Sequence, residues 1–322
     1  MEVVIPDYVT SEELSEILGE AGAINYPWLF RLYCTLKNVD TSSAYKFVGG
    51  TYTIATNMNY DTLMLSFVET LTLTTVRITF PEGSTVDEII ALFEANGCSS
   101  REEFLECMTT YDFGAEYEFL KDIDMTGRYY LLEGYLYPDT YDFYTGRKPE
   151  YYLCRLLDQF AKVFRQSKFF EAAEESEYTI DELLAIASII EKEAYQVNDF
   201  DMVSSVIHNR LKDPATFPNL ECDSTIVYAL SCIAGKRVTD ITLEDLELDN
   251  PYNSYKEEGL PPGPICSPSY NSIACAFDPA DADKDYYYFV SDKYGVMYYA
   301  TTLKDHEKNI ADIKKAEAAE KE

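Results

Sequence analysis

Two stretches of this sequence repeat one pattern at an offset of 75 positions (80 − 5). Ile5-Pro6 stands against Phe80-Pro81, Glu13-Leu14 against Glu88-Ile89, Leu18 against Phe93, Gly22 against Gly97, and Leu29-Phe30 against Phe104-Leu105. Each copy reads as a strand, a proline-containing turn, an amphipathic helix, a glycine stop and a second helix. Thr10 or Ser11 in one copy, and Thr85 in the other, stand where a hydroxyl caps the first turn. Gly22 and Gly97 stand where helices end. Between the copies Gly50 to Ile54 reads as a strand, and Thr75 to Phe80 alternates Val76, Ile78 and Phe80 with polar residues. Two copies are too few for a solenoid. They predict a small β-α-α-β module within an α+β chain.

A length of 322 residues suggests two domains, at ~150 residues each. Tyr111 to Arg128 is polar and aromatic without a clear period, as a linker would be. We therefore expect one domain over 1–115, a second, mixed α/β domain over 116–311, and a fraying helical tail over 312–322.

Lys and Arg total 26 and Asp and Glu 57, a net charge of −31. Such a surface repels phosphate backbones, and no local Lys/Arg cluster offsets it, so nucleic-acid binding is excluded. The longest apolar run, Leu183 to Ile190, is far short of the ~20 residues that cross a bilayer. Glu2-Val3-Val4-Ile5-Pro6 reads as the start of a strand, and no signal peptide is visible. Of the eight cysteines none forms C-x-x-C, and only His208 and His306 could complete a zinc site. Cys107, Cys154 and Cys275 sit in apolar periodic stretches, where reduced thiols pack as small hydrophobes.

The chemistry concentrates in Thr179 to Ala194. Thr179 and Glu182 form a capping box that starts a helix. Ile180, Leu184, Ala187 and Ser188 share one face, and at 100° per residue Glu191 lies about 20° from Leu184, while Glu193 lies about 180° away. On that reading Glu193 is an ordinary solvated residue. A carboxyl on a buried stripe near a helix end has its pKa raised, as a general acid requires. The competing reading is that the helix stops short and Glu191 reaches water. A second helix, about Asp199 to Lys212, places Arg210 among Val203, Val206, Ile207 and Leu211. A buried guanidinium needs a carboxylate or carbonyls, with Glu133 and Asp223 as candidate partners. His208 falls off that stripe and reads as a surface or structural residue, and His306 as structural.

Phosphate-loop, dinucleotide, zincin and nucleophile-elbow motifs are absent. The 28 tyrosines would suit a carbohydrate cleft, but many reflect strand preference, as in Tyr286 to Val290 and Val296 to Tyr299 around a turn.

Seven ordered segments then carry a resemblance. They are Leu132-Glu133-Gly134-Tyr135-Leu136-Tyr137-Pro138-Asp139-Thr140-Tyr141, Ala187-Ser188-Ile189-Ile190-Glu191-Lys192-Glu193-Ala194, Val206-Ile207-His208-Asn209-Arg210-Leu211, Leu220 to Leu230, Pro251-Tyr252-Asn253-Ser254-Tyr255, Gly259-Leu260-Pro261-Pro262-Gly263-Pro264-Ile265 and Tyr288-Phe289-Val290. In order and type these resemble the endolytic murein transglycosylases, the YceG-like family, and the N-terminal repeat resembles the LysM-like region of that family. Glu221-Cys222 departs from it, where the family usually has a Gln and a small or polar residue before the Asp.

The resemblance implies a lytic transglycosylase that cuts nascent peptidoglycan strands internally. Its catalytic glutamate would be Glu191, general acid and then base, closing a 1,6-anhydro ring on the muramyl residue with no metal or organic cofactor. Glu133, Tyr137, Arg210, Asp223, Tyr252 and Asn253 would bind the strand or shape the cleft. Cell-wall synthases are the implied partners. The family also carries one N-terminal transmembrane helix with the catalytic part outside the cytoplasm, so this chain is expected to be the soluble fragment of such a protein. A non-catalytic peptidoglycan-binding scaffold is the alternative. Pyridoxal phosphate lyase chemistry lacks its glycine-rich phosphate turn beside a lysine strand.

Overall fold

The computed structural model describes residues 2–6, 9–37, 45–47, 49–54, 58–70, 75–239, 241–279 and 285–319. These form two compact units. One comprises 1–76 with 97–99 and 142–148, the other 77–96, 100–141 and 149–322.

In the smaller unit, β1 (Glu2–Ile5) leads to α1 (Ser11–Glu20), α2 (Pro27–Leu36), β2 (Tyr45–Phe47), β3 (Gly50–Thr53), α3 (Tyr60–Phe67) and β4 (Val68–Thr70). β1 pairs antiparallel with β3 and β2 with β4. Thr10 and Glu13 form a capping box on α1. Val3, Ile5, Leu14, Leu18, Phe30 and Phe67 meet in the core of this unit. Strand, two helices and a returning strand therefore appear as the repeat predicts.

The second copy continues with β5 (Thr75–Thr79), α4 (Val86–Ala95) and α5 (Arg101–Thr110). Thr85 with Glu88 caps α4, and Gly97 follows it at φ 69°. This copy belongs to the larger unit, because Phe93 stacks on Phe104 at 5.1 Å and both rings meet Tyr152. Tyr152 lies on α7, which follows α6 (Phe113–Glu116) and β6 (Thr140–Tyr144) and spans Pro149–Gln166. The stretch after Tyr111 is not a linker. Phe113, Tyr117 and Leu120 are buried, and the Tyr117 hydroxyl donates to Asp158 (3.0 Å) and the Cys154 carbonyl (3.2 Å). The units thus divide near residue 76 rather than near 115.

The larger unit goes on through α8 (Phe169–Glu174), α9 (Ile180–Glu193), α10 (Phe200–Lys212), α11 (Asp223–Ala234), α12 (Tyr270–Phe277), β7 (Tyr288–Ser291), β8 (Met297–Ala300) and α13 (Leu303–Ala319). Thr179 and Glu182 start α9 with the expected capping box. Leu183 to Ile190 are all buried, with α12, α10 and α11 against them. A helix apolar on every side is a core helix, not an amphipathic surface one. β7 and β8 form the expected hairpin, and α13 runs unbroken across residue 312. Among the described residues the sheets are two-stranded and small, which makes the fold a mixed α/β arrangement dominated by helices. No disulfide joins the eight cysteines, and no described helix is long and apolar enough to cross a membrane.

Candidate active site

A cavity of about 700 Å³ opens in the larger unit where the ends of α9 and α11 face α4. Asp87, Glu88 and Ala91 of α4 and Arg101 of α5 line one wall. Lys192, Glu193 and Tyr195 at the end of α9, with Asp223, Ser224 and Tyr228 of α11, line the other. Arg101 pairs with Asp87 (2.6 Å) and Arg237 with Glu88 (3.7 Å), so this lining is better balanced in charge than the chain at large.

Glu193 is the carboxylate that the helical phase assigned to solvent. Instead it faces the cavity, and its Oε1 accepts the Ser224 N–H at 3.1 Å. Ser224 is the second residue of α11, where backbone donors lack intrahelical partners. Burial is the largest influence on the Glu193 carboxyl and pushes its pKa up; Asp223 adds to this, and the bonds from Ser224 oppose it. Asp223 opens α11 and takes the Tyr255 hydroxyl on Oδ1 at 2.6 Å.

Glu191 does not line this cavity. Its Oε2 accepts the Ser269 N–H (3.0 Å) and the Ser272 hydroxyl (2.7 Å), both at the start of α12. A β-carbon at Gly83 would lie 3.5 Å from its Cγ. The nearby Glu82 carboxyl is raised, first by burial and then by the charge of Glu191. Tyr137 belongs on that side too. Burial lifts its hydroxyl to about 12, with the charges of Asp139 and Glu82 adding to the effect.

Glu133 is fully buried and does not line the cavity, accepting from the Val86 N–H (3.1 Å) and the Tyr228 hydroxyl (3.0 Å). Burial outweighs those two donors and pushes its carboxyl up to about 8. Next to it Gly134 has φ 87°, and a β-carbon there would come within 2.5 Å of the Pro264 side chain. The Leu132–Tyr141 and Gly259–Ile265 segments meet at that contact, and the Ile265 N–H continues to Ser188 Oγ of α9 at 3.0 Å.

Arg210 pairs with neither Glu133 nor Asp223. Its Nε donates to the Tyr287 carbonyl (2.7 Å) and its Nη1 to the Leu220 carbonyl (2.9 Å) and the Glu221 carboxylate (3.2 Å). Tyr252 is buried beside Tyr129 and Tyr228, with ring centroids at 5.6 and 4.9 Å. Asn253 donates to the Leu246 and Leu248 carbonyls (2.9 and 2.7 Å) and accepts the Tyr255 N–H (3.0 Å). Tyr252 supports the cavity wall from behind through Tyr228, while Asn253 fixes the loop backbone around it. His208 is buried rather than on the surface, 3.0 Å from the Ala276 carbonyl, and burial lowers its pKa. His306 stacks on Tyr288 at 5.3 Å.

Of the expected site residues, only Asp223 lines the cavity. Glu193, Ser224 and Tyr228 are the ones that residue-level reasoning passed over. The signal for Glu193 was present: the run Leu183–Ile190, apolar but for Ser188, marks a helix with no solvent face.

A helix-rich mixed α/β protein with small two-stranded sheets, and a cavity where carboxylates and basic side chains meet at the ends of buried helices, is the class these features define. The YceG-like family profile matches residues 3–312, and the chain belongs to that family. It is 30% identical to the endolytic murein transglycosylase of Bacillus subtilis, over 94% of this chain and 82% of the relative. It is 29% identical to that of Streptococcus pneumoniae strain R6, over 96% of this chain and 58% of the relative, so it spans little more than half of that protein. The crystal structure of a YceG-like protein from Listeria monocytogenes superposes with a TM-score of 0.64 at 30% identity, covering 96% of this chain and 98% of that one.

Proposed function

We propose that this chain cleaves peptidoglycan strands internally as a lytic transglycosylase, with Glu193 as general acid and then base. The observation that carries the assignment to Glu193 is its carboxyl in the cavity, where burial favours the protonated form. The relatives named endolytic murein transglycosylase, at 29% and 30% identity, support the bond class. Glu193 protonates the glycosidic oxygen between N-acetylmuramic acid and N-acetylglucosamine as the C1–O bond breaks. The Ser224 N–H steadies the carboxylate that results. That carboxylate then takes the proton from the muramyl 6-hydroxyl as O6 bonds to C1. The ring closes, no water is consumed, and Glu193 regains its proton. Asp223 contributes negative charge to the same cavity while C1 is electron-poor. Glu191 is assigned to holding the first turn of α12 in place. The smaller unit is proposed to act as a LysM-like, glycan-holding module, in a membrane-anchored, extracytoplasmic setting beside cell-wall synthases.

The test is digestion of purified peptidoglycan by the native chain, E193Q and E191Q, with products weighed by mass spectrometry. Muramyl ends one water lighter than reducing ends are expected from the native chain. E193Q should lose at least about 100-fold in rate, while E191Q keeps most of its activity. If E191Q alone is inactive, the acid is Glu191, as the family resemblance implies. Reducing ends would mean hydrolysis, with Asp223 as the second carboxylate such enzymes use. Binding without cleavage in every form would favour the scaffold reading.

A further inference from the structure

We infer that Arg210 is a positioning residue for Glu193, acting through the left-handed turn at Glu221; this rests on the assignment of Glu193 above. Glu221 has φ 53°, a region that side chains other than glycine avoid. Two clamps hold it there. On one side Arg210 Nη1 reaches the Leu220 carbonyl (2.9 Å), the Asn219 carbonyl (3.4 Å) and the Glu221 carboxylate (3.2 Å). On the other, the Ser254 carbonyl accepts the Glu221 N–H and Ser254 Oγ accepts the Cys222 N–H, both at 2.9 Å.

Arg210 is itself fixed. Its Nε holds the Tyr287 carbonyl at 2.7 Å, and its guanidinium lies between the rings of Phe217 and Tyr288, at 5.4 and 5.3 Å. The ion pair alone is a weak tie, because the Glu221 side chain is 53% exposed. The carbonyl bonds to a buried, planar fork supply the rigidity. The turn they impose sets where α11 begins, and its second residue aims the Ser224 N–H at Glu193. Arg210 touches no cavity wall, yet the donor on the acid depends on it.

The experiment measures cleavage against pH for the native chain, R210K, E221G, R210K/E221G and E193Q. Lysine keeps the charge but lacks the planar fork, so its single ammonium cannot span the Tyr287 carbonyl on one side and the Leu220 carbonyl and Glu221 carboxylate on the other as Nε and Nη1 do. Losing the Ser224 donor leaves the Glu193 carboxylate less stabilised and raises its pKa. A general acid fails as pH rises through its pKa, so the alkaline limb of R210K should move up by about half a unit, with turnover about tenfold lower and KM within about twofold of native. Glycine adopts the left-handed turn unaided, so E221G should stay within about twofold of native and R210K/E221G should recover most of the lost turnover. Asp223 and Cys222 at the start of α11 and Tyr255 on its loop act on Glu193, and Lys192, Tyr195, Asp87 and Glu88 of α4, Arg101 of α5, Tyr228 and Cys232 of α11, Lys236 and Arg237 line the same cavity; all are unchanged in every variant. Should R210K fail to fold, S254A loosens the same turn from its other side and is read in the same way. An alkaline limb that stays in place, or a double variant that remains slow, overturns the inference. If E193Q cleaves like the native chain, the assignment of Glu193 fails first, whereas an inactive E193Q with an unmoved R210K limb sinks this inference alone.

Discussion

Glu133 carries its carboxyl where no side is open to water, and its two donors only partly compensate. Its pKa near 8 exceeds the ordinary value near 4.5, so between those limits the folded chain holds a proton that the unfolded chain has released. Stability from this residue is therefore fully present below about pH 4.5 and is lost as pH rises toward 8. E133Q, which keeps the shape and cannot ionise, should gain on the native chain from pH 5 to 8 at on the order of 1 kcal/mol per pH unit, read from paired denaturation curves. A difference that stays flat with pH would mean that Glu133 is ionised in the fold. Asn253 is of another kind, since all its bonds go to backbone. N253A strands the Leu246 and Leu248 carbonyls and the Tyr255 N–H, and should cost about 2–4 kcal/mol in urea unfolding. The prominence of Glu133 and Asn253 could be read from their motifs. Their direction could not, because only distant segments decide whether a polar side chain faces a cavity or a carbonyl.

At the scale of elements, local chemistry was legible almost to the residue. Thr10, Thr85 and Thr179 each cap a helix with a glutamate three positions on, and such a box needs nothing beyond four consecutive residues. T179A should destabilise the chain by about 1 kcal/mol in thermal unfolding, without altering the products of cleavage. Gly134 is a contact between elements rather than a local signal. G134A forces a β-carbon onto Pro264 at φ 87° and should cost more than about 2 kcal/mol, seen as a lowered Tm. A Tm equal to the native value would show that the two segments part easily. Helix phase placed Glu193 in solvent although it lines the cavity, because the period of 3.6 separates faces but does not say which face is covered. In α9 Leu183 to Ile190 are buried on every face, and the cavity opens only at the end of the helix, where Lys192 and Glu193 line it.

Across the whole molecule, a net charge of −31 makes self-repulsion a global term. Raising salt from about 10 mM to about 0.3 M should lift Tm by roughly 2–4 °C, an increment of about 1 kcal/mol, as the screening length shortens. A Tm that falls over this range would mean that surface ion pairs outweigh the repulsion. The linker expected after Tyr111 fails at this scale as well: Tyr117 and Phe113 look like loop aromatics until α7 is laid beside them. By itself the sequence determined the repeated strand–helix–helix pattern, the caps, the hairpin and the motif order of the family, since these depend on neighbours in the chain. Only the tertiary structure decided that the second repeat joins the larger unit, that Glu193 rather than Glu191 faces the cavity, and that Arg210 serves the Glu221 turn. Burial is a property of what packs around a side chain, and those neighbours lie tens of residues away.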